Sequence, residues 1–241
     1  MPLNVPLPII YPITSGKTTP QTTPKDPQFA DILRLVRAAV DAEVPLFQIR
    51  EKTLPDEVLH ELTSSAVEIA RGSETRVIVN GKPELAWAAG AGGVHLKSAD
   101  FMKKCGGDWS EVPWQRFYDN SPDPPPPPGI HDNYLVGVST HHVTEAEVVS
   151  ILGADFVVFG PVFETESKLA YGPPQGLSKL RDVTETVDDI PVIAIGGITL
   201  ENVTDCFKAD ASGVAAIRLL SDPDTMPETV ETIRRQFIER L

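Results

Sequence analysis

Short apolar runs rich in β-branched residues alternate with amphipathic stretches along most of the chain. The strand candidates are Ile9–Ile13, Leu46–Arg50, Arg76–Asn80, Gly93–Leu96, Tyr134–Ser139, Phe156–Phe159, Val192–Ile195 and Gly213–Ile217. Helix candidates lie between them at Pro27–Ala42, Pro55–Arg71, Pro83–Ala89, Thr144–Leu152, Leu177–Val187, Leu200–Ala209 and Met226–Glu239. Leu33, Val36, Ala39 and Val40 fall on one helical stripe, as do Leu59, Leu62, Ala66 and Ile69, which is the spacing of a helix with one buried face. The strands are nearly all apolar, as expected of parallel strands covered by helices on both faces. Strand–helix alternation builds βαβ units. Eight strand candidates predict an α/β fold of the closed (β/α)8 TIM-barrel type. An open doubly wound sheet is the alternative, and no glycine-rich dinucleotide fingerprint supports it.

A length of 241 residues suits one such barrel, so a single domain over 1–241 is expected. The fourth connection breaks the pattern. Between Asp100 and Asp132 it carries Cys105-Gly106-Gly107, Trp109, Trp114 and the proline run Pro124–Pro128. A proline run can form neither helix nor inner strand. An irregular excursion over 101–133 is therefore expected in place of a regular fourth helix. The alternative is a docking segment for a partner with an aromatic groove. Thr18–Pro27 reads as a loop after the first strand.

The net charge of −13 argues against nucleic acid as a partner and makes any inward-facing Arg or Lys informative. No apolar run reaches the roughly 18 residues of a membrane span, and the N-terminal residues show no basic region followed by an apolar one. No membrane association and a cytoplasmic location are expected. Cys105 and Cys206 lack metal-ligand spacing and read as reduced thiols.

In a barrel of this kind, chemistry gathers in the loops after the strands. The second strand runs into Gln48-Ile49-Arg50-Glu51-Lys52. Alternation puts Gln48, Arg50 and Lys52 on one face, where an arginine fork and a lysine suit a phosphate or carboxylate. The alternative is an exposed strand end with Arg50 paired to Glu51 or a nearby acid. The fifth strand ends in Ser139-Thr140-His141-His142, and a histidine at the mouth can pass protons near neutral pH. His95, in the fourth strand, reads as a structural hydrogen-bonder. The sixth strand leads into Gly160-Pro161-Val162-Phe163-Glu164-Thr165-Glu166-Ser167-Lys168, a loop able to wrap phosphate. Gly196-Gly197 follows the seventh strand, and Ala216-Ile217-Arg218 closes the eighth. Phosphate sites in these barrels form after those two strands.

The ordered stretches FQIREK, VIVNGKPELAWAAGAGGVHL, VGVSTHHVTEAE, FVVFGPVFETESK, IPVIAIGGITLENV and GVAAIRLL, spanning Leu46 to Leu220, resemble the thiamine phosphate synthase and TenI superfamily. The synthase branch joins a pyrimidine diphosphate to a thiazole phosphate with Mg2+ and expels pyrophosphate. The resemblance would place diphosphate and pyrimidine contacts at Gln48, Arg50, Lys52 and Asn80, with Ser139 near the pyrimidine. Thr165, Ser167 and Lys168 would lie on the pyrophosphate and thiazole side, and the Gly197 N–H on the thiazole phosphate. Two departures stand out. Asn80-Gly81 replaces the Asn-Asp whose aspartate binds Mg2+, leaving Asp100 as the metal ligand, and Arg218 replaces a serine.

The TenI branch shares Asn-Gly, the Phe-Glu-Thr tract and a histidine at His141. Its members shift a proton to aromatise a thiazole carboxylate phosphate and use no metal. The leading expectation is therefore a thiazole tautomerase without cofactor. His141 would shuttle the proton, Arg50 would hold the carboxylate, and Gly197 with the Ala216, Ile217 and Arg218 backbone would hold the phosphate. The alternatives are a Mg2+-dependent synthase and a non-catalytic ligand-binding regulator. The partners expected are a small phosphorylated thiazole, a pyrimidine diphosphate for the synthase, and further copies of the chain, since the family is often oligomeric.

Overall fold

A computed structural model describes residues 5–104, 134–165 and 173–240. Its parallel strands are β1 (Ile9–Pro12), β2 (Leu46–Ile49), β3 (Arg76–Asn80), β4 (Gly93–Lys97), β5 (Leu135–Thr140), β6 (Phe156–Phe159), β7 (Val192–Ile195) and β8 (Gly213–Ala216). The helices are α1 (Pro27–Asp41), α2 (Asp56–Ala70), α3 (Pro83–Ala88), α4 (Ser98–Lys104), α5 (Val143–Ile151), α6 (Gly176–Thr186), α7 (Val203–Lys208) and α8 (Met226–Glu239). A 3-10 turn at Arg218–Leu220 follows β8.

From β2 to β8 each strand pairs in parallel with its sequence neighbour, and β8 pairs with β1 from Ile9↔Gly213 to Pro12↔Ala216. The seam between β1 and β2 closes through an Ile13–Gln48 bridge and a bond from the Thr14 N–H to the Gln48 carbonyl, 3.0 Å. The expected (β/α)8 barrel is thus formed. Ile9 and Ile13 direct their N–H groups to β8, so the missing N–H of Pro12 falls on the β2 side. Pairing there is limited to the bridge, and proline is tolerated.

Strand alternation separates two apolar layers. Ile9, Tyr11, Ile13, Leu46, Ile78, Leu135, Phe156, Val158, Ile193 and Ala215 fill the barrel interior. Alternate residues such as Phe47, Val79, Val94, Val138 and Val214 pack outward against the helices. Burial on both faces is what makes these strands read as unbroken apolar runs.

The first residues of the fourth connection depart from the expected irregular form. A regular helix, α4, begins directly after β4 and occupies residues assigned to the irregular excursion. Phe101 anchors it at 1 % exposure. Asp100 lies in its first turn and Lys103 and Lys104 in its last, an arrangement that complements the helix dipole. Seven residues are too few to display a helical period. The rest of that segment, with Cys105 and Pro124–Pro128, lies outside the described residues. Helix α7 starts at Val203 rather than Leu200, because the Asn202 side chain organises a turn ahead of it. No helix among the described residues is long and apolar enough to cross a membrane.

At the opposite end from the strand carboxyl ends, the Val136 N–H donates to Asp155 Oδ2 at 2.7 Å. Burial pushes the Asp155 carboxyl up to about 6, although the Val136 N–H and Arg76 oppose the shift. A carboxyl raised by folding favours the native state in its protonated form. Its contribution is complete below about pH 4 and is lost as pH rises through about 6. Asp155→Asn keeps an acceptor for Val136 and removes the titration. The variant is expected to gain on the wild type between those limits, by at most about 3 kcal/mol at neutral pH. Denaturant titrations of both proteins across that range check this; parallel pH profiles would contradict it.

Candidate active site

Parallel pairing brings the carboxyl ends of all the strands to one end of the barrel, and inward alternation selects which residues line it. On β2, Leu46 belongs to the interior layer, so Gln48 and Arg50 share its face. Gln48 lies deep, 1 % exposed, and its Nε2 donates to the Tyr11 hydroxyl at 2.8 Å. Arg50 lies one pleat higher, half-buried. Its guanidinium stands close enough to the imidazole of His95 to disfavour a charge there.

Arg50 does not pair with Glu51. The Glu51 carboxylate is buried at 3 % exposure. It accepts from the Gly16 N–H at 3.0 Å, the Thr18 N–H at 3.2 Å and the Thr18 hydroxyl at 2.7 Å. It stitches the β1 loop to β2, and the Arg50 N–H adds a bond to Thr14 Oγ1 at 2.8 Å. Among the described residues, Arg50 makes no ion pair. A half-buried guanidinium without a carboxylate partner, in a chain of net charge −13, is receptive to an anion. Because β2 ends at Ile49, strand alternation does not extend to Lys52, which stands exposed in the following turn.

Asn80 ends β3 in register with His95, and Gly81 donates its N–H to the His95 carbonyl at 2.8 Å. His95 is buried, 5 % exposed, and its Nε2 lies 2.7 Å from Ser139 Oγ on β5. Burial, reinforced by Arg50, holds the imidazole down at about 3, so it stays neutral. Tyr11, His95 and Phe156 form an aromatic floor, with ring centroids 5.6 Å apart for Tyr11–Phe156 and 6.1 Å for Tyr11–His95 and His95–Phe156. Ser139 is half-buried above it. Lys97, opposite Ser139 in the β4–β5 register, follows Gly93 and His95 on the inner face and is exposed. It adds a cation near the mouth that the sequence reading missed by ending the strand at Leu96.

His141 is half-buried beyond β5. Its Nδ1 bonds the Gly160 carbonyl, and its N–H donates to Glu145 Oε2 at 2.8 Å. A carbonyl can only accept, so Nδ1 carries a proton, and the neutral ring then has its lone pair on Nε2. His142 is exposed at the start of α5.

The β6 loop is strapped to the end of β7 by bonds from the Val162 N–H to the Ile195 carbonyl, 2.8 Å, and from the Phe163 N–H to the Gly196 carbonyl, 3.0 Å. Gly197 takes φ +66°, and a Cβ there would lie 2.4 Å from the Glu164 carbonyl oxygen and 2.8 Å from Phe163 Cβ. Asn202 fixes this turn: its Nδ2 donates to the Gly197 carbonyl at 2.9 Å, and its Oδ1 accepts from the Thr199 N–H at 2.9 Å. Thr165 is half-buried in the β6 loop; Ser167 and Lys168 lie outside the described residues. On β8, Ala216 is buried and Ile217 packs on the interior layer. Arg218 opens the 3-10 turn and is exposed.

Asp100 is exposed in the first turn of α4, just past β4. The described residues contain no group of three or more His, Cys, Asp or Glu that could hold a metal ion by themselves. A single carboxylate suits Mg2+ when substrate phosphates supply further oxygens.

Sequence reasoning also overlooked Glu51 and Asn202. Both act through loop backbone, and loop hydrogen bonds have no periodic signal.

The family model described as thiamine monophosphate synthase matches residues 18–104 and 128–220. A thiamine-phosphate synthase of Methanoculleus marisnigri is 35 % identical over 183 residues, covering 76 % of this chain and 77 % of that protein. One of Anaeromyxobacter dehalogenans is 33 % identical over 198 residues, covering 81 % and 79 %. The solved structure of thiamine phosphate pyrophosphorylase from Pyrococcus furiosus superposes with a TM-score of 0.69 at 25 % identity, covering 97 % of each chain. By sequence motif, barrel topology and these matches, the chain belongs to the thiamine monophosphate synthase/TenI family.

Proposed function

We propose that the protein is a thiamine-phosphate synthase, joining a hydroxymethylpyrimidine diphosphate to a thiazole phosphate with release of pyrophosphate. The observation that carries this reading is the Arg50 guanidinium at the barrel mouth, which makes no ion pair among the described residues. The relatives matched over most of the chain bear the synthase name, which favours this function over the tautomerase that led the sequence reading.

Arg50 holds the diphosphate, with Asn80 at the end of β3 and Lys52 reaching in from the turn after β2. The pyrimidine ring lies on the floor of Tyr11, His95 and Phe156, beside Ser139 and above Gln48. The Gly197 N–H holds the thiazole phosphate, helped by the Ala216–Arg218 backbone. Thr165 lies on the leaving-group side, where the family resemblance also assigns Ser167 and Lys168, which lie outside the described residues. The bond between the pyrimidine methylene and the diphosphate oxygen breaks, and the thiazole nitrogen supplies the electron pair for the new C–N bond. Charge grows on the departing pyrophosphate, where Arg50 stabilises it more than in the ground state. Asp100 would hold Mg2+ together with substrate oxygens, and the metal would supply further neutralisation of the diphosphate.

One observation favours the tautomerase as a second reading: His141 Nδ1 bonds the Gly160 carbonyl, so in the neutral ring Nε2 is the nitrogen that can take up a proton, as a general base requires. An assay of both substrate sets, with Mg2+ and with chelator, separates the two. Pyrophosphate release and thiamine phosphate formation that stop in chelator are expected. Turnover of the thiazole carboxylate phosphate in chelator, without condensation, would overturn the proposal.

A further inference from the structure

The buried histidine beneath the mouth bears on how the substrate ring is selected. His95 Nε2 lies 2.7 Å from Ser139 Oγ, while Nδ1 is buried with no hydrogen-bond partner among the described residues. A Cβ on Gly137 would lie 2.9 Å from Nδ1 and 2.2 Å from Phe156 Cζ, so the ring nitrogen packs against the Gly137 Cα and leaves no room for a water. A proton on Nδ1 would be an orphaned buried N–H, the rarer and costlier kind of unsatisfied group. The neutral ring therefore carries its proton on Nε2. Ser139 Oγ then accepts that proton's hydrogen bond, and no other described group accepts the serine's own hydrogen.

We infer that His95 is a positioning residue. Its Nε2–H donates to Ser139 Oγ and so sets the serine hydroxyl as a donor aimed into the mouth, for an unprotonated ring nitrogen of the bound heterocycle. A serine hydroxyl alone can turn to serve either a donor or an acceptor. Locked by His95 it serves acceptors, and a ring presenting N–H at that point meets an unfavourable contact. This inference deepens the synthase reading and rests on it for the identity of the heterocycle, but the tautomer does not depend on that reading.

Nitrogen NMR of the histidine-labelled protein tests the tautomer directly, with His95→Gln identifying the resonances. A neutral ring protonated at Nε2, unchanged from roughly pH 5 to 8 where an ordinary histidine titrates, is expected. Protonation at Nδ1, or titration within that range, would overturn the inference whatever reaction the protein catalyses. Steady-state kinetics with the pyrimidine diphosphate then read the donor. His95→Leu and Ser139→Ala should each raise KM by about tenfold, the worth of one hydrogen bond. The double variant should be no worse than Ser139→Ala, since the pair acts as a unit. His95→Gln, which places an amide N–H near the position of Nε2, should restore most of the loss. Additive effects, or a well-folded His95→Gln no better than His95→Leu, would overturn it. Absence of any condensation by the wild type would instead count against the synthase reading, with the NMR result still deciding the tautomer.

Discussion

Replacing Arg50 with methionine is expected to lower kcat/KM for condensation by about 10²–10³-fold, the scale seen when one preorganised donor to developing charge is removed. The expectation follows from how neighbouring charges are disposed. Glu51, the nearest acid in sequence, is committed to the β1 loop through Gly16 and Thr18. Arg50 therefore has nothing to lose by binding an anion and needs no reorganisation to do so. The structural cost should be small, because methionine preserves the stem and the Arg50 N–H, which bonds Thr14 Oγ1, is backbone. Arg50→Lys should recover only part of the rate, since a point charge cannot reproduce the bidentate fork. Thermal melting alongside kinetics checks the assignment: a large rate loss with near-native stability is expected. Unchanged turnover would remove Arg50 from the diphosphate site.

The second large effect is expected at Gly197→Ala. Its φ of +66° is unfavourable for alanine, and the added methyl would meet the Glu164 carbonyl and Phe163, which the bonds from Val162 and Phe163 hold close to β7. The turn has to open, displacing the N–H proposed to hold the thiazole phosphate. With strain of about 1–3 kcal/mol concentrated in the binding turn, KM for the thiazole phosphate should rise by about 10- to 100-fold. Gly72→Ala is the control. Its φ is +81° with nothing within 4 Å of the added Cβ, so it carries backbone strain without the clash and lies far from the mouth. A comparable stability loss with normal KM is expected there. If both variants bind the thiazole phosphate like the wild type, the Gly197 turn is not its phosphate site.

The barrel could be read from the sequence because its strands are apolar on both faces and its longer helices carry clear stripes, as in Leu59, Leu62 and Ala66 of α2. Helix α4 escaped notice: seven residues held by Phe101 give no period. Gln48 and Arg50 were assigned to one face correctly because β2 obeys strict alternation. Lys52 was not, because Glu51 leaves the strand to serve the β1 loop, and such a contact across 33 residues has no local trace. Lys97 was lost by a strand end misplaced by one residue. His95 was read as a structural hydrogen-bonder, but its partner Ser139 lies 44 residues away, and only the β4–β5 register brings the two together.

A crystal structure of the protein with thiamine phosphate, pyrophosphate and Mg2+ bears most directly on the whole arrangement. The pyrophosphate should lie on the Arg50 guanidinium, the pyrimidine over Tyr11 and His95 with a ring nitrogen facing Ser139, and the thiazole phosphate on the Gly197 N–H. Ligands seated away from the carboxyl ends of the strands, or a pyrophosphate that does not touch Arg50, would contradict it.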